Sequence, residues 1–217
     1  MKWEIKDSLP VKVGIIELSG LNINSSDLAY KQIQALAMDY HEQYKNTSVS
    51  LIPGIQTARD FFRAIGIDPT KRRPSSEALL RRALNKKGFF KVNNLVDAAN
   101  LCSLQFLLPI CAYDADKIEG GTQIRRGLEN DNYLALTGKE LNLEGRYVIA
   151  DSRGPFGSPI TDSVRTAVSQ STTSCVICIF APNQLPDSIM TQYMTKAAEK
   201  IIELCRGKCT QRQIIQG

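Results

Sequence analysis

The feature that most constrains this chain is a change in the period of its apolar residues. From Ala29 to Leu107 they recur at helical spacing, whereas from about Thr122 they gather in short runs separated by glycine-rich turns. Ala29, Ile33, Leu36, Ala37, Tyr40 and Tyr44 fall on one face of a first helix, with Lys31, Gln34 and Glu42 on the other and Ser25 or Ser26 as its cap. Thr57 to Ile65 repeats the pattern, and Gly66 with Asp68-Pro69 stops it. Ser75 and Ser76 can cap a helix over Ala78 to Asn85, ended by Gly88, and Asn93-Asn94 can cap one from Leu95 to Leu107, closed by Pro109. Thr122 to Arg126, Tyr147 to Ala150 and Ser174 to Phe180 read as strands, as does the early β-branched run Val11 to Leu18. Paired apolar steps from Ile189 to Ile202 make a last amphipathic helix that ends near Arg206-Gly207, and the polar tail after Cys209 is expected to fray.

Helices, then strands, then a closing helix lack the strict alternation of a doubly wound sheet, so the expected class is α+β. With 217 residues, 43% of them hydrophobic, the chain can bury a core without staples and is expected to fold as a single compact unit over 1–217. Its six cysteines are therefore expected as reduced thiols. No stretch approaches a membrane span and the first residues lack a signal-like apolar segment, so no membrane partner and a cytoplasmic setting are expected.

The formal charge of +5 is concentrated between Lys71 and Lys91, where eight basic residues (Lys71, Arg72, Arg73, Arg81, Arg82, Lys86, Lys87 and Lys91) accompany one acid, Glu77. Such a run is either a solvated helix face or a patch that meets a phosphate backbone, with DNA not expected as the partner. Gly154, Gly157 and Ser158 lie in a Gly-Pro-Phe-Gly-Ser-Pro turn after a strand, which is either only a turn or a loop whose amides reach a ligand or an oxyanion. The next segment holds Asp162, Arg165 and Thr166: Arg165 could hold a carboxylate or phosphate and Asp162 an amino group, or the two could pair with each other. Cys175 and Cys178 fall on opposite faces of one strand and read as core residues rather than metal ligands. His41, the only histidine, reads as a surface residue, which leaves no histidine-based triad; no metal site and no cofactor is expected.

The run Arg73 to Arg82 (RPSSEALLRR), followed by Asn94 to Asn100 (NLVDAAN), Leu108 to Asp114 (LPICAYD), Asp151 to Thr166 and Val176 to Pro182, resembles the free-standing branch of the B-three/B-four domain family. That family includes the tRNA-editing domain of the phenylalanyl-tRNA synthetase beta subunit. The similarity runs over about 60–185, leaving an N-terminal strand-helix extension and a C-terminal helix. It implies a β-sandwich-like core and an aminoacyl-tRNA partner. Asn100 matches the family's helix asparagine, and Gly154 and Gly157 match its two pocket glycines. Cys111 stands where the synthetase has a pocket histidine, and the apolar stretch Val176 to Ile179 stands near its tyrosine-reading glutamate. The expected function is a trans-acting deacylase of mischarged tRNA, in which the amides of Gly154 to Ser158 meet the ester carbonyl or the terminal ribose. Asn100, Cys111, Asp162, Arg165 and Thr166 would line the substrate site. The alternatives are a binding module that has lost hydrolysis, or a hydrolase or binder of a small amino-acid derivative with no RNA partner. No phosphate-binding G-x-x-x-x-G-K-[ST] loop is present, so ligase activity by this chain alone is not expected.

Overall fold

Ser174 to Pro182 is buried along almost its whole length and pairs on both sides, which makes it the centre of the molecule. In the computed structural model, which describes every residue except Asp7, the elements run in the order β1 (Trp3–Ile5), β2 (Val11–Ser19), α1 (Leu28–Tyr44), α2 (Ile55–Ala64), α3 (Ser75–Leu84), α4 (Asn94–Phe106), β3 (Ile110–Asp114) and β4 (Thr122–Arg126). They continue with β5 (Asn132–Leu134), β6 (Glu140–Asn142), β7 (Tyr147–Asp151), β8 (Gly154–Gly157), β9 (Ser174–Pro182), α5 (Asp187–Cys205) and β10 (Lys208–Gln216). One sheet has the order β10-β2-β9-β3, a second has β1-β4-β7-β8, and β5 and β6 form a separate hairpin. The fold is α+β.

Because strand side chains alternate between faces, β9 divides the interior. Cys175, Ile177, Ile179 and Ala181 join a core with α4 and α5, through Leu95, Ala98, Met190, Met194 and Ala197. Val176, Cys178 and Phe180 face the second sheet, where Ile124, Tyr147, Ile149 and Phe156 meet them, with Phe61 and Phe62 of α2 in the same cluster. The two four-stranded sheets thus enclose one core between them, in the manner of a sandwich. A third cluster, with Ile33, Ile55, Leu80 and Leu104, holds α1 to α4 together.

Local chemistry explains most element ends. Asn93 accepts from the Val96 amide and caps α4, and Leu107 leaves that helix in a left-handed conformation (φ 54°) ahead of Pro109. Helix α1 instead starts after Asp27 without a side-chain cap, although the Ser26 hydroxyl accepts from the Leu28 amide. Helix α3 begins at Ser75, behind Pro74, so neither serine caps it. Glu77 in its first turn is buried and binds two arginines: Arg59 of α2 donates to both carboxylate oxygens at 2.8 Å, and Arg81 donates at 2.9 Å. Burial acts to raise the Glu77 pKa, but these hydrogen bonds outweigh it and hold the group below the ordinary glutamate value.

The expected fraying of the tail is corrected: Lys208–Gln216 is strand β10, in antiparallel register with β2 from Ser19 to Lys12. Its side chains are mostly exposed, so it carries no apolar alternation, and backbone hydrogen bonding to β2 holds it in place. Truncation after Gly207 is expected to lower the melting temperature by about 10 °C, corresponding to about 3 kcal/mol in a chain of this size. An unchanged thermal unfolding curve would mean that the tail contributes nothing to β2.

Candidate functional site

The loop after β8 is held from two sides. Ser158 accepts from the amides of Ile160 (3.3 Å) and Thr161 (3.2 Å) and donates to the Thr161 carbonyl at 2.8 Å, closing a tight turn. Tyr133 of β5 donates to that same carbonyl at 2.7 Å. Farther on, the amides of Leu136 and Val164 donate to the carbonyls of Asp162 and Leu134, which ties the loop to the β5–β6 hairpin. The Ser158 hydroxyl is thus fully engaged in shaping the turn and is not free as a nucleophile.

Beneath the turn lies a cluster of interior polar groups. Tyr113 of β3 is fully buried, with its ring edge-on to Phe156 at 5.1 Å, and its hydroxyl donates to Asp162 Oδ1 at 2.7 Å. A Cβ added at Gly157 would come within 2.3 Å of that hydroxyl, so only glycine lets Tyr113 approach. The Cys111 thiol is buried and points at the Ser158 carbonyl, 3.6 Å away. Burial pushes its pKa well up, with the Asp162 charge adding to the effect, so it is a packed thiol rather than an activated nucleophile. Burial likewise pushes the Asp162 carboxyl up to about 6, against the hydrogen bond from Tyr113 and the Ser158 backbone contact, which favour its charged form.

The other residues singled out in the sequence separate. Arg165 pairs not with Asp162 but with Asp151: Nη1 and Nη2 each donate at 2.9 Å to a carboxylate with no solvent exposure, and further contacts reach the carbonyls of Lys117 and Gly154. Burial acts to raise the Asp151 pKa, but Arg165 and the amides of Glu119 and Arg153 outweigh it and hold it low. Arg165 is therefore a structural ion pair, and its guanidinium is not available to a ligand phosphate. Gly154 supplies the turn at φ 108°. Thr166 is buried, with its carbonyl accepting from the Asp114 amide. Asn100 lies elsewhere, lining a cavity of about 100 Å³ with Asp97, Arg82 and Tyr30. His41 contacts the Leu84 carbonyl at 2.8 Å and takes no part in the cluster.

The basic run likewise does not converge. Arg81 is bound to Glu77, Lys91 pairs with Asp27, and Arg82 binds the Gly88 carbonyl and lies over the Phe90 ring. Lys86 and Lys87 line a cavity of about 480 Å³ between α1 and α3, beside Met38 and His41. Arg73 is exposed. Lys71 and Arg72 instead border a cavity of about 340 Å³ whose lining includes Arg126, Arg146, Ser158 and Thr161. Arg126 and Arg146, at the end of β4 and just before β7, had no sequence signal beyond their charge, because the fold alone brings them to Lys71. This cavity and the Tyr113–Asp162 cluster thus share the Ser158–Thr161 turn. Among the described residues no three His, Cys, Asp or Glu side chains gather as metal ligands.

Comparison with known proteins bears on this arrangement. A family model described as the B3/4 domain matches residues 57–203. The phenylalanine–tRNA ligase beta subunit of Streptomyces avermitilis is 34% identical over 93 residues, covering 42% of this chain and 11% of that protein. The beta subunit of Bartonella henselae is 34% identical over 105 residues, covering 48% of this chain and 13% of its own length. The chain therefore corresponds to a small part of these relatives. A crystallised N-terminal fragment of the phenylalanyl-tRNA synthetase beta subunit from Pyrococcus horikoshii aligns over 99% of this chain and 50% of its own, at 14% identity and a TM-score of 0.47.

Two substitutions test the electrostatics. Asp151→Ala should destabilise the fold by about 3–5 kcal/mol, because it leaves the Arg165 charge without its partner; chemical denaturation measures this. Asp162 has the opposite sign. Its folded-state pKa exceeds the ordinary aspartate value, so its contribution to stability is full below that value and is lost as pH rises through about 6. Asp162→Asn should accordingly be more stable relative to wild type at pH 7.5 than at pH 4, by about 1–3 kcal/mol. An unchanged difference between the two pH values would show that the carboxyl is not perturbed.

Proposed function

The chain belongs to the B3/4 domain family, whose model matches well over half of it, and we propose on that basis that it is a tRNA-associated protein that hydrolyses the ester of mischarged aminoacyl-tRNA in trans. The observation that carries this reading is the contact between two kinds of chemistry at the Ser158–Thr161 turn. On one side is a cavity bordered by Lys71, Arg72, Arg126 and Arg146. On the other is Asp162, a carboxyl raised to about 6 and held by Tyr113.

An aminoacyl ester is an activated substrate, so a site need only hold the carbonyl, place a water and accept its proton. Asp162 suits the last task, since a base works best with a pKa close to the working pH. In the proposed reaction the Asp162 carboxylate takes a proton from water as the water oxygen attacks the ester carbonyl. The bond to the ribose oxygen then breaks, and that oxygen leaves with a proton. Ser158 and Thr161 act by fixing the turn.

A second reading is favoured by a specific observation: Tyr113 fills the space before Gly157 and the Cys111 thiol is closed off, which fits a binding module without hydrolysis. Deacylation of a panel of correctly and wrongly charged tRNAs by the purified protein separates the two. The hydrolytic reading predicts release from at least one mischarged tRNA, a rate that rises with pH through about 6 and then levels, and a loss of about a hundredfold in Asp162→Asn. Absence of release from every tRNA, with salt-sensitive tRNA binding intact, would leave the binding module.

A further inference from the structure

We infer that the cavity between α1 and the end of α3 seats a small organic acid with an apolar body, its carboxylate against Lys86 and Lys87 and its tail along Met38 and Phe89. The inference stands apart from the deacylase reading, because this cavity shares no lining residue with the one at the Ser158–Thr161 turn. Its α1 wall also precedes the residues 57–203 that the family model matches.

The recess follows from side-chain size. Gln34, Ala37, Met38 and His41 stand at i, i+3, i+4 and i+7 on α1, one stripe along the helix, and Ala83 of α3 lines the other wall. Ala37 and Ala83 are both buried and small, so neither helix fills the space beside the Ile33–Leu80 core. The cavity they leave, about 480 Å³, has the volume of a small-ligand pocket. Met38, on its rim, is 70% exposed, so an apolar tail would find a wall that the protein itself leaves uncovered.

The end of α3 puts two cations beside that recess. The Lys87 amide donates to the Arg82 carbonyl at 2.8 Å and the Lys86 amide to the Ala83 carbonyl at 3.0 Å, the pair of bonds that closes a helix through a left-handed residue. That residue is Lys86 (φ 51°), at a place that glycine usually fills. The side chains of Lys86 and Lys87 are exposed and make no hydrogen bond or ion pair among the described residues. A helix C-terminus attracts cations on its own account, but that leaves the apolar recess beside them unexplained. The acid in the lining, Glu42, is occupied: it accepts from Lys45 at 2.9 Å, and this hydrogen bond holds its pKa below the ordinary glutamate value. Two uncommitted ammonium groups beside an engaged acid select an anion. With no guanidinium in the lining, they suit a carboxylate better than a phosphate, which accepts from more donors at once. The walls are set before any ligand arrives, since His41 donates to the Leu84 carbonyl at 2.8 Å, Arg82 Nε to the Gly88 carbonyl at 2.9 Å and Tyr30 to the Phe89 carbonyl at 3.3 Å.

The test is titration of the whole protein, carbon-13 labelled at its methionine methyls, with octanoate, octanol, octylamine and acetate. Octanoate should bind at least about tenfold more tightly than each of the other three. It should shift the Met38 methyl resonance and leave those of Met190 and Met194, buried on α5, unmoved. Lys86→Gly with Lys87→Gln removes both charges and gives the left-handed position its usual residue, so the fold should hold. In that variant octanoate affinity should fall by about tenfold or more while octanol affinity stays the same. Met38→Glu, at an exposed position, should weaken octanoate in the same direction. Octanol or octylamine binding as tightly as octanoate would overturn the anion site, and acetate binding as tightly would overturn the apolar seat. Indifference to the lysine variant, or a shift at Met190 or Met194 without one at Met38, would also overturn the inference. Release of amino acid from tRNA, present or absent, alters none of these outcomes, so the two proposals fail separately.

Discussion

The antiparallel pairing of β2 with β9, unbroken from Val11↔Pro182 to Ser19↔Ser174, fixes the position of nearly everything else. With the register set, Val11, Val13 and Ile15 join Val176, Cys178 and Phe180 on the sandwich side, and Ile16 and Leu18 join Cys175 and Ile177 on the helical side. A slip of one residue would exchange the two sets. The helical side also holds Lys12, buried and paired with Asp187 at the start of α5. At Gly14, on the same side, a Cβ would meet Met190 at 2.7 Å, so the missing side chain lets α5 lie close on the sheet. Strand β3 then adds to the other edge of β9, with Cys111 opposite Cys178 and Tyr113 opposite Val176. The polar cluster at Gly157 is therefore a consequence of the central register.

Three interior carboxylates show how charge is used inside the fold. Glu77 and Asp151 are each held by arginine, and their pKa values are lowered despite burial. Asp162 is held only by neutral donors and is raised. The first two use arginine as a structural part: Arg59 joins α2 to α3 through Glu77, Arg81 binds the same carboxylate from one turn farther along α3, and Arg165 anchors the loop after β8 to β7. Their stability contributions are present at neutral pH and are lost as pH falls through their depressed values, opposite in sign to Asp162. Arginine spent in this way is unavailable to a ligand, which is why a high local density of basic residues exaggerates the binding surface.

The helices and the long strands were legible because their apolar spacing is strong and their caps are local, as at Asn93 and Leu107. Strand β10 was not, because an exposed strand held by its neighbour's backbone needs no apolar alternation. Strand β1 escaped for a related reason: three residues paired in parallel with β4, far along the chain, leave no local pattern. Among the candidate site residues Gly157 and Ser158 lie with Cys111 and Asp162, whereas Gly154 lies beside the Asp151–Arg165 pair. The reading of Arg165 as a ligand group fails on its bidentate pairing with Asp151, fourteen positions earlier, which no spacing rule suggests. Tyr113 stands in the Leu108 to Asp114 run that carries the resemblance, but nothing in a strand sequence shows that a tyrosine will occupy the space a distant glycine leaves free.

That occupied space bears on how the protein could use its family architecture. With Tyr113 against Gly157, the interior face of the loop is filled, and the open volume lies along the Ser158–Thr161 turn, toward Arg126 and Arg146. On the proposed reading a ligand therefore approaches from the basic cavity and meets the turn before it meets Asp162. The turn is a single hydrogen-bonded unit, with Ser158, Thr161 and Tyr133 sharing one carbonyl and one hydroxyl, so a ligand pressed against it acts on the position of the next residue, Asp162. Binding and chemistry would then be coupled through the backbone of the turn rather than through a shared side chain, which explains how few conventional catalytic groups such a site requires.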